Sequence, residues 1–169
     1  MTHATILRKP ILAKLDRMKE KELKAAYKSG NRDFSRVDLS KADLNKARLK
    51  EINLSQAYLN RAILNEAHLE KAFLNQAVMY AADLHGAKLF RASAIEANLE
   101  NANLTKANLN HANLSKADLR HANLDRAHLV WANLRQANLR HANLTKANLR
   151  GAKFCQTIMP DGSIRNDDC

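Results

Sequence analysis

A five-residue period constrains this chain more than any other feature of its sequence. Between Ala97 and Gly151, alanine recurs every five residues, and leucine follows each alanine two positions later. The residue between them is Asn or Asp in ten of eleven units, and His128 is the exception. A short period repeated over many units is typical of repeat architectures, in which each unit adds the same structural element.

The period excludes two ordinary folds. In an α-helix, five residues advance the chain by about 500°, so successive leucines would spiral around the helix instead of forming one stripe. In one long strand, an odd spacing sends alternate leucines to opposite faces. Alanine and leucine two residues apart do share a face of an extended segment. The pattern therefore predicts a coil that turns once in every five residues, with alanine and leucine inside, and the period alone leaves the number of sides open.

The repeat Ala-(Asn/Asp)-Leu-X-X resembles the pentapeptide-repeat family from Phe34 to Phe154. Leucine fills 21 of 25 central positions, and the others are Phe34, Met79, Ala94 and Phe154. The resemblance implies an all-β solenoid, a right-handed quadrilateral β-helix with four pentapeptides per coil. Four units per coil predict about six coils and, at the ~4.8 Å spacing of paired strands, a length of roughly 29 Å.

The chain divides into three segments. Residues 1–31 precede the repeat, residues 32–154 form the repeat array, and residues 155–169 break the period. Apolar spacing in the first segment predicts a helix that starts or kinks near Pro10. It also predicts a second helix from Met18 to Ser29, with Gly30 as its stop. We expect this N-terminal α-helical cap to lie across the open end of the coil, since repeat proteins usually cover such strand edges.

The tail from Cys155 to Cys169 is interpreted as a short C-terminal cap. Pro160, Asp161 and Gly162 form a turn signal. The tail is similar to the T-x-M-P-D-G ending of cyanobacterial pentapeptide-repeat proteins. Its two cysteines bracket the segment, so the sequence leaves open a disulfide or two free thiols in a reducing cytosol. Their spacing does not match a CxxC zinc motif.

The central position at Ala94 is the weakest point of the predicted core. Leucine stands one coil before it and one coil after it, at Leu74 and Leu114. The sequence predicts either a cavity beneath Ala94 or a local shift that turns Ile95 inward.

The residues just before five successive centres depart from the usual Asn or Asp. Four of the five, between residues 58 and 78, are large and apolar, and two more apolar residues extend this character into the next coil. We call the set the apolar belt: Tyr58, Ile63, Phe73, Val78, Tyr80 and Phe90. Exposed apolar belts mark contacts, although single surface apolar residues are ordinary and the N-terminal helices could cover part of this one. The belt favours an unknown protein partner, with the chain itself a monomer or a weak homo-oligomer.

Charge supplies a second, alternative interaction surface. The chain has a net charge of +11 and a pI near 9.9. The side of the predicted coil through Leu49 carries six basic residues including Arg150, and the five candidate contacts for an anionic surface are Arg48, Lys50, Lys71, Lys88 and Arg91. Such a side can bind nucleic acid, another anionic polymer or a membrane surface, or it can simply keep a leucine-rich rod soluble, which we favour. Some members of the family mimic DNA and bind gyrase, which requires an acidic surface, and the charge here has the opposite sign.

The sequence holds no constellation that indicates catalysis. Glycine-rich phosphate loops, Ser/His/Asp sets and paired carboxylates do not occur, so we expect neither an enzyme nor a cofactor. His121 and His141 stack on one side of the predicted coil, but two ligands make a poor metal site. We also expect a cytoplasmic location, because the sequence shows no apolar run for a membrane span and no signal-peptide pattern.

Overall fold

The computed structural model describes residues 17–169, so the helix predicted near Pro10 lies outside the described residues. Within this range, helix α1 spans Glu20–Lys28, and two short strands, β1 at Thr157–Ile158 and β2 at Ile164–Arg165, form an antiparallel pair in the tail. None of the helices found in residues 17–169 has the length and apolar character to span a bilayer.

Parallel bridges between residues four pentapeptides apart organise the repeat array. They run in an unbroken series from the pair Asp33 and Asn53 to the pair Asn138 and Ile158. Each pentapeptide contributes one bridging residue, so four pentapeptides complete a coil. We name the four sides by their first central residues: side 1 at Phe34, side 2 at Leu39, side 3 at Leu44 and side 4 at Leu49.

A tight turn closes each pentapeptide. In the units centred from Leu39 to Leu149, the N–H of the next small residue donates to the carbonyl of the central residue, as from Ala42 to Leu39 at 3.0 Å. The residue two after the centre has positive φ, for example 60° at Lys41, which is the geometry of a type II turn. The Asn or Asp before the centre supports the same turn: the Asp38 carboxylate accepts the N–H of Ser40 at 2.9 Å. This bond explains why the repeat favours Asn and Asp there.

Alanine and leucine form the core, as the period predicts. Every central leucine from Leu39 to Leu139 is at most 4% exposed. Phe34 and Phe154, the central residues at the two ends of the array, are also buried. Because this interior consists of apolar side chains, any interaction must use outward positions.

An internal cavity of about 10 Å³ lies at Ala94 and confirms one of the two outcomes predicted there. Leu74 and Leu114 line it from the neighbouring coils. The chain keeps its frame through this unit, because the Ala94 N–H still bonds to the carbonyl of Asn113 at 2.7 Å. Ile95 stays partly exposed, so no inward shift fills the space.

The substitution Ala94→Leu should stabilise the fold by about 1–2 kcal/mol, because it fills a space that leucine occupies in both neighbouring coils of side 1. The melting temperature should rise by roughly 2–8 °C. Ala102→Leu is the matched control: it adds the same atoms at a fully buried position that does not line the cavity, and overpacking should lower the melting temperature. A lower melting temperature for Ala94→Leu would contradict the cavity argument.

Helix α1 crosses the N-terminal end of the coil. It ends at Lys28, one residue before the predicted Ser29, and Gly30 follows with φ 100°, as its predicted role as a stop requires. It begins at Glu20 rather than at Met18, because the Met18 N–H instead bonds to the carbonyl of Asp38 at 2.9 Å and continues the sheet pairing. Leu23 is fully buried on the inner face of the helix, which closes this end of the core.

The tail covers part of the C-terminal end. After β1, a turn at residues 160–162 reverses the chain, with Gly162 at φ 86°, and β2 then pairs back on β1. Cys155 and Cys169 are joined by a disulfide, with their Cα atoms 4.9 Å apart. The structure thus contains the bonded alternative of the two that the sequence left open.

Candidate functional site

Four large side chains of the apolar belt are exposed to solvent. Tyr58 is 41% exposed, Ile63 40%, Phe73 50% and Tyr80 39%. In the described part of the chain, the other exposed large hydrophobic residues are Trp131 and Ile164. The belt therefore concentrates most of this exposed apolar surface into one short stretch of sequence, from Tyr58 to Tyr80.

The exposed residues of the belt lie on three adjoining sides. Tyr58 bridges to the half-buried Val78 on side 2, and Tyr80 follows two residues later on the same side. Ile63 lies around the corner on side 3, and Phe73 lies on side 1. Side 4 has His68 at the equivalent position, so the apolar surface wraps around three sides and stops at the basic one.

The turns that carry the belt residues lack the side-chain hydrogen bond that supports most other turns of the array. Asn53 accepts the N–H of Ser55 at 3.0 Å, and Asp83 accepts the N–H of His85 at 3.3 Å. The five units between them place Tyr58, Ile63, His68, Phe73 and Val78 before the centre, and none of these side chains has a carboxylate or amide oxygen to do this. The chain thus exposes apolar surface and loses local hydrogen bonds in the same coil.

The structure places Phe90 with the basic residues rather than with the exposed belt. Phe90 lies on side 4, where its ring meets the ring of His111 edge-on at 5.6 Å between centroids. The guanidinium of Arg91 lies 5.1 Å from the centre of the Phe90 ring. These contacts cover part of Phe90, which accounts for its lower exposure.

Three of the five candidate anionic-surface residues line a shallow depression on side 4, and Lys88 and Arg91 lie outside its lining. Its lining includes Arg48, Lys50, His68, Glu70, Lys71 and Phe90. Glu51 lies 3.4 Å from Lys71 and 4.0 Å from Lys50, so two of the five basic groups are partly neutralised. Lys88 lies 3.2 Å from the ring of His68. Within residues 17–169, Arg48 and Arg91 have no carboxylate within ion-pair distance.

Perturbed acids in the described residues owe their shifts to surface hydrogen bonds. On side 2, the Arg120 guanidinium donates to both carboxylate oxygens of Asp118 and reaches Glu100 at 3.1 Å. The hydrogen bonds from Arg120 hold the pKa of Asp118 below its ordinary value. Hydrogen bonds from Gln76 and Lys116 likewise lower the pKa of Glu96. These lowered pKa values keep the carboxyl groups ionised, whereas a carboxyl group that acts as a general acid or base near neutral pH requires a raised pKa.

The histidine pair predicted on one side is present as a stacked pair. The rings of His121 and His141 lie 5.0 Å apart with an angle of 23° between their planes. In the part of the chain that the structure describes, no cluster of three or more His, Cys, Asp or Glu side chains has the geometry to hold a metal ion.

Two exposed features at the C-terminal end were missed by the sequence reasoning. Ile164 in β2 is 65% exposed, and Leu144 and Leu149 are the only partly exposed leucine centres of the described array. The leucine repeat continues without change through both centres, so periodicity carries no signal of their exposure. The break in the period at Cys155 was the available signal, since it removes the next coil.

Comparison with known proteins identifies the repeat. The family model described as pentapeptide repeats matches in eight copies, covering residues 33–70, 52–93, 82–120 and 122–159. Searching the curated proteins gave no match.

Several solved structures are similar to this chain. HetL, a pentapeptide repeat protein involved in heterocyst differentiation regulation from the cyanobacterium Nostoc sp. strain PCC 7120, shares 30% identity over 88% of this chain and 100% of its own, with a TM-score of 0.49. Rfr23 from the cyanobacterium Cyanothece 51142 shares 39% identity over 54% of this chain and 63% of its own, with a TM-score of 0.54. QnrB1, a plasmid-mediated fluoroquinolone resistance protein, shares 19% identity over 74% of this chain and 68% of its own, with a TM-score of 0.43.

Proposed function

Because this chain belongs to the pentapeptide-repeat family, we propose that it is a non-enzymatic interaction module whose partner protein binds the apolar belt. Proteins of this family fold as right-handed quadrilateral β-helices, and the bridges between successive coils of this chain fit that architecture. In this proposal the rod has about six coils, with residues 1–31 and 155–169 as its two caps.

The proposal rests on two ways in which the units of the apolar belt depart from the repeat. Tyr58 and Phe73 are 41% and 50% exposed where most units place Asn or Asp. Each such residue also leaves the N–H of its turn without the side-chain acceptor seen at Asn53. Both changes weaken the isolated rod, so a bound partner that buries these rings offsets their effect.

The geometry favours a partner that grips the rod across its corners. The exposed tyrosines of side 2 lie between Ile63 on side 3 and Phe73 on side 1. Tyrosine side chains bury large apolar area and keep a hydroxyl for a hydrogen bond, which makes them frequent hot spots of interfaces. A concave or clamp-like partner surface fits this convex arrangement.

Replacing Tyr58 and Phe73 together by serine should weaken partner binding by at least about 30-fold and leave the fold intact. Wild-type and variant full-length proteins are used for affinity capture from native cell extract, and the retained partner is then titrated by calorimetry. Trp131→Ser is the matched control, because Trp131 is 54% exposed but lies outside the belt. Equal affinity for the wild type and the double variant would contradict the proposal, provided their melting temperatures agree.

A second candidate function is binding of an anionic polymer or membrane surface through side 4. The observation in its favour is the pair of guanidinium groups at Arg48 and Arg91 that have no carboxylate partner in residues 17–169. Such binding would weaken steeply with salt, because counterions are released, whereas binding at the apolar belt would not. Capture at low and high salt therefore separates the two candidates, and nucleic acid is the less favoured partner.

The proposal also covers the location of the protein and whether it mimics DNA, as the gyrase-binding members of the family do. We propose a cytoplasmic location, because no run of the sequence has the apolar character of a membrane span. DNA mimicry is not part of the proposed function, since the chain carries a net charge of +11 and mimicry of a duplex requires the opposite sign.

A further inference from the structure

Trp131, the single tryptophan of the chain, lies flat on the surface of side 4. A β-carbon at Gly151, one coil further along, would lie 2.5, 2.7 and 2.8 Å from the indole atoms Cε3, Cζ3 and Cδ2. Such similar distances to three bonded ring atoms mean that the face of the ring covers the glycine. Side chains at this position of the repeat point away from the rod, so the second face of the ring meets solvent. The 54% exposure of Trp131 agrees with one open face.

Gly151 is needed by the ring and not by the turn. Its φ is 68°, but other residues adopt a similar conformation at the same position of their units, with φ 53° at Ala81 and 59° at Trp131 itself. A side chain at Gly151 would instead push the indole off the surface, because it would occupy the space of the ring. Trp131 and Gly151 therefore form a fixed aromatic surface, which we call the aromatic platform.

Two basic side chains lie beside the aromatic platform. Arg150 precedes Gly151 on side 4, and Lys153 follows it at the start of side 1. Both are exposed, and within residues 17–169 neither has a carboxylate at ion-pair distance. The last four units of side 4 contain no Asp or Glu, and they are residues 87–91, 107–111, 127–131 and 147–151. An anionic group at the edge of the platform would thus meet two cations and no acid of side 4.

The tail brings acids to the adjoining side 1, but these acids already have partners. Asp167 binds the guanidinium of Arg165, and the Asp168 carboxylate accepts the N–H of Phe154 at 2.8 Å. Arg135, a further cation of side 1, donates to the backbone carbonyl of Asp168 at 2.9 Å. These contacts hold the charges of the tail in place and leave the cations beside the platform available.

An open tryptophan face packs against the flat face of another ring, and nearby cations select a ring that carries an acid. We propose that the aromatic platform binds an acidic polysaccharide through one of its uronic acid units. The sugar ring stacks on Trp131. Its carboxylate is attached directly to the ring, so it reaches the edge of the platform and pairs with Arg150 or Lys153. This site lies outside the apolar belt and is independent of a protein partner there.

The surface next to the platform favours a polysaccharide over a nucleic acid. A nucleic acid strand carries a phosphate at every nucleotide and needs cations along its whole path. Between Arg91 and Arg150, however, side 4 has no Lys or Arg. The outward residues of this stretch include Asn108, Asn110 and His128, whose side chains can bond to sugar hydroxyl groups.

The emission of the single tryptophan reports directly on this site. The full-length protein is titrated with oligosaccharides of galacturonate, of mannuronate and of hyaluronan, with neutral dextran and oligothymidylate of similar length for comparison. At least one of the three uronate series should change the Trp131 emission until it saturates. Dextran and oligothymidylate should bind at least about 10-fold more weakly than that series.

Variants separate the platform from general attraction to side 4. Gly151→Ala should weaken uronate binding by at least about 10-fold, because it displaces the ring and keeps both cations. Gly86→Ala is the matched control, since a β-carbon there would make only an ordinary contact, 3.5 Å from Glu66. Arg150→Gln should also weaken binding, whereas Arg48→Gln removes the same charge from the other end of side 4 and should not. Calorimetry gives the affinities.

The proposal is overturned if none of the three uronate series alters the emission, or if oligothymidylate binds as tightly as the best of them. It is also overturned if Gly86→Ala weakens binding as much as Gly151→Ala. Equal losses for Arg48→Gln and Arg150→Gln would overturn it as well, because they would assign the binding to the whole basic side 4. None of these outcomes bears on a protein partner at the apolar belt.

Discussion

Replacing Leu114 by alanine should lower the free energy of unfolding by about 3–5 kcal/mol, near the upper end for such changes. Leu114 lines the cavity at Ala94, so the substitution would join a new void to an existing one of about 10 Å³. The surroundings have little freedom to collapse, because backbone bonds such as the one from Leu114 to Asn133, at 2.8 Å, hold neighbouring coils at a fixed spacing. Urea denaturation followed by circular dichroism measures the effect.

Leu54→Ala is the matched control for this prediction. Leu54 is a fully buried centre of the same side but does not line the cavity. Its loss should cost less, about 2–3 kcal/mol, since only one void forms. If Leu54→Ala proved as destabilising as Leu114→Ala, the cavity at Ala94 would have no energetic role.

The substitution Cys169→Ser should lower the free energy of unfolding by about 3 kcal/mol, and the melting temperature by roughly 6–12 °C. The disulfide joins residues 14 positions apart and holds the tail over side 1. Without it, the unfolded chain gains conformational freedom, and two capping bonds lose their anchor. In these bonds the Phe154 N–H donates to the Asp168 carboxylate at 2.8 Å and the Gln156 N–H donates to the Asn166 side-chain oxygen at 2.7 Å.

Chemical reduction supplies the control for the disulfide prediction. Wild-type protein in excess reductant should unfold at the midpoint of Cys169→Ser, and the double variant with Cys155→Ser should match the single one. A midpoint that reductant does not move would show that the bond adds no stability.

The period of five made the core predictable from the sequence. Each unit has the same pattern of a small and a large apolar residue, so Ala102 and Leu104 could be assigned to the core without knowledge of any long-range contact. Both residues are fully buried. The number of sides could not be predicted from the period, because a period within one unit says nothing about which unit lies one coil above it. That information came from the family resemblance, and the bridges between residues four pentapeptides apart agree with it.

Misplaced details share a physical cause, which is competition from a neighbouring coil. Met18 fits the apolar pattern of a helix, but its N–H finds the carbonyl of Asp38 and stays extended. Phe90 fits the belt by type, but its ring packs against His111 on the following coil. In both cases the partner lies a full coil away along the chain, beyond the reach of local pattern. The exposure of Leu144 escaped notice for the same reason, since it depends on how far the tail extends.

The bridges between successive coils also fix how the two ends face each other around the long axis. Every added or removed pentapeptide turns the tail by a quarter revolution relative to α1, whereas a change of four pentapeptides restores the original angle. Surfaces at opposite ends can therefore keep their relative orientation only if the chain grows or shrinks in steps of whole coils. The number of pentapeptides therefore sets the rotation angle between the two ends of the rod as well as the distance between them.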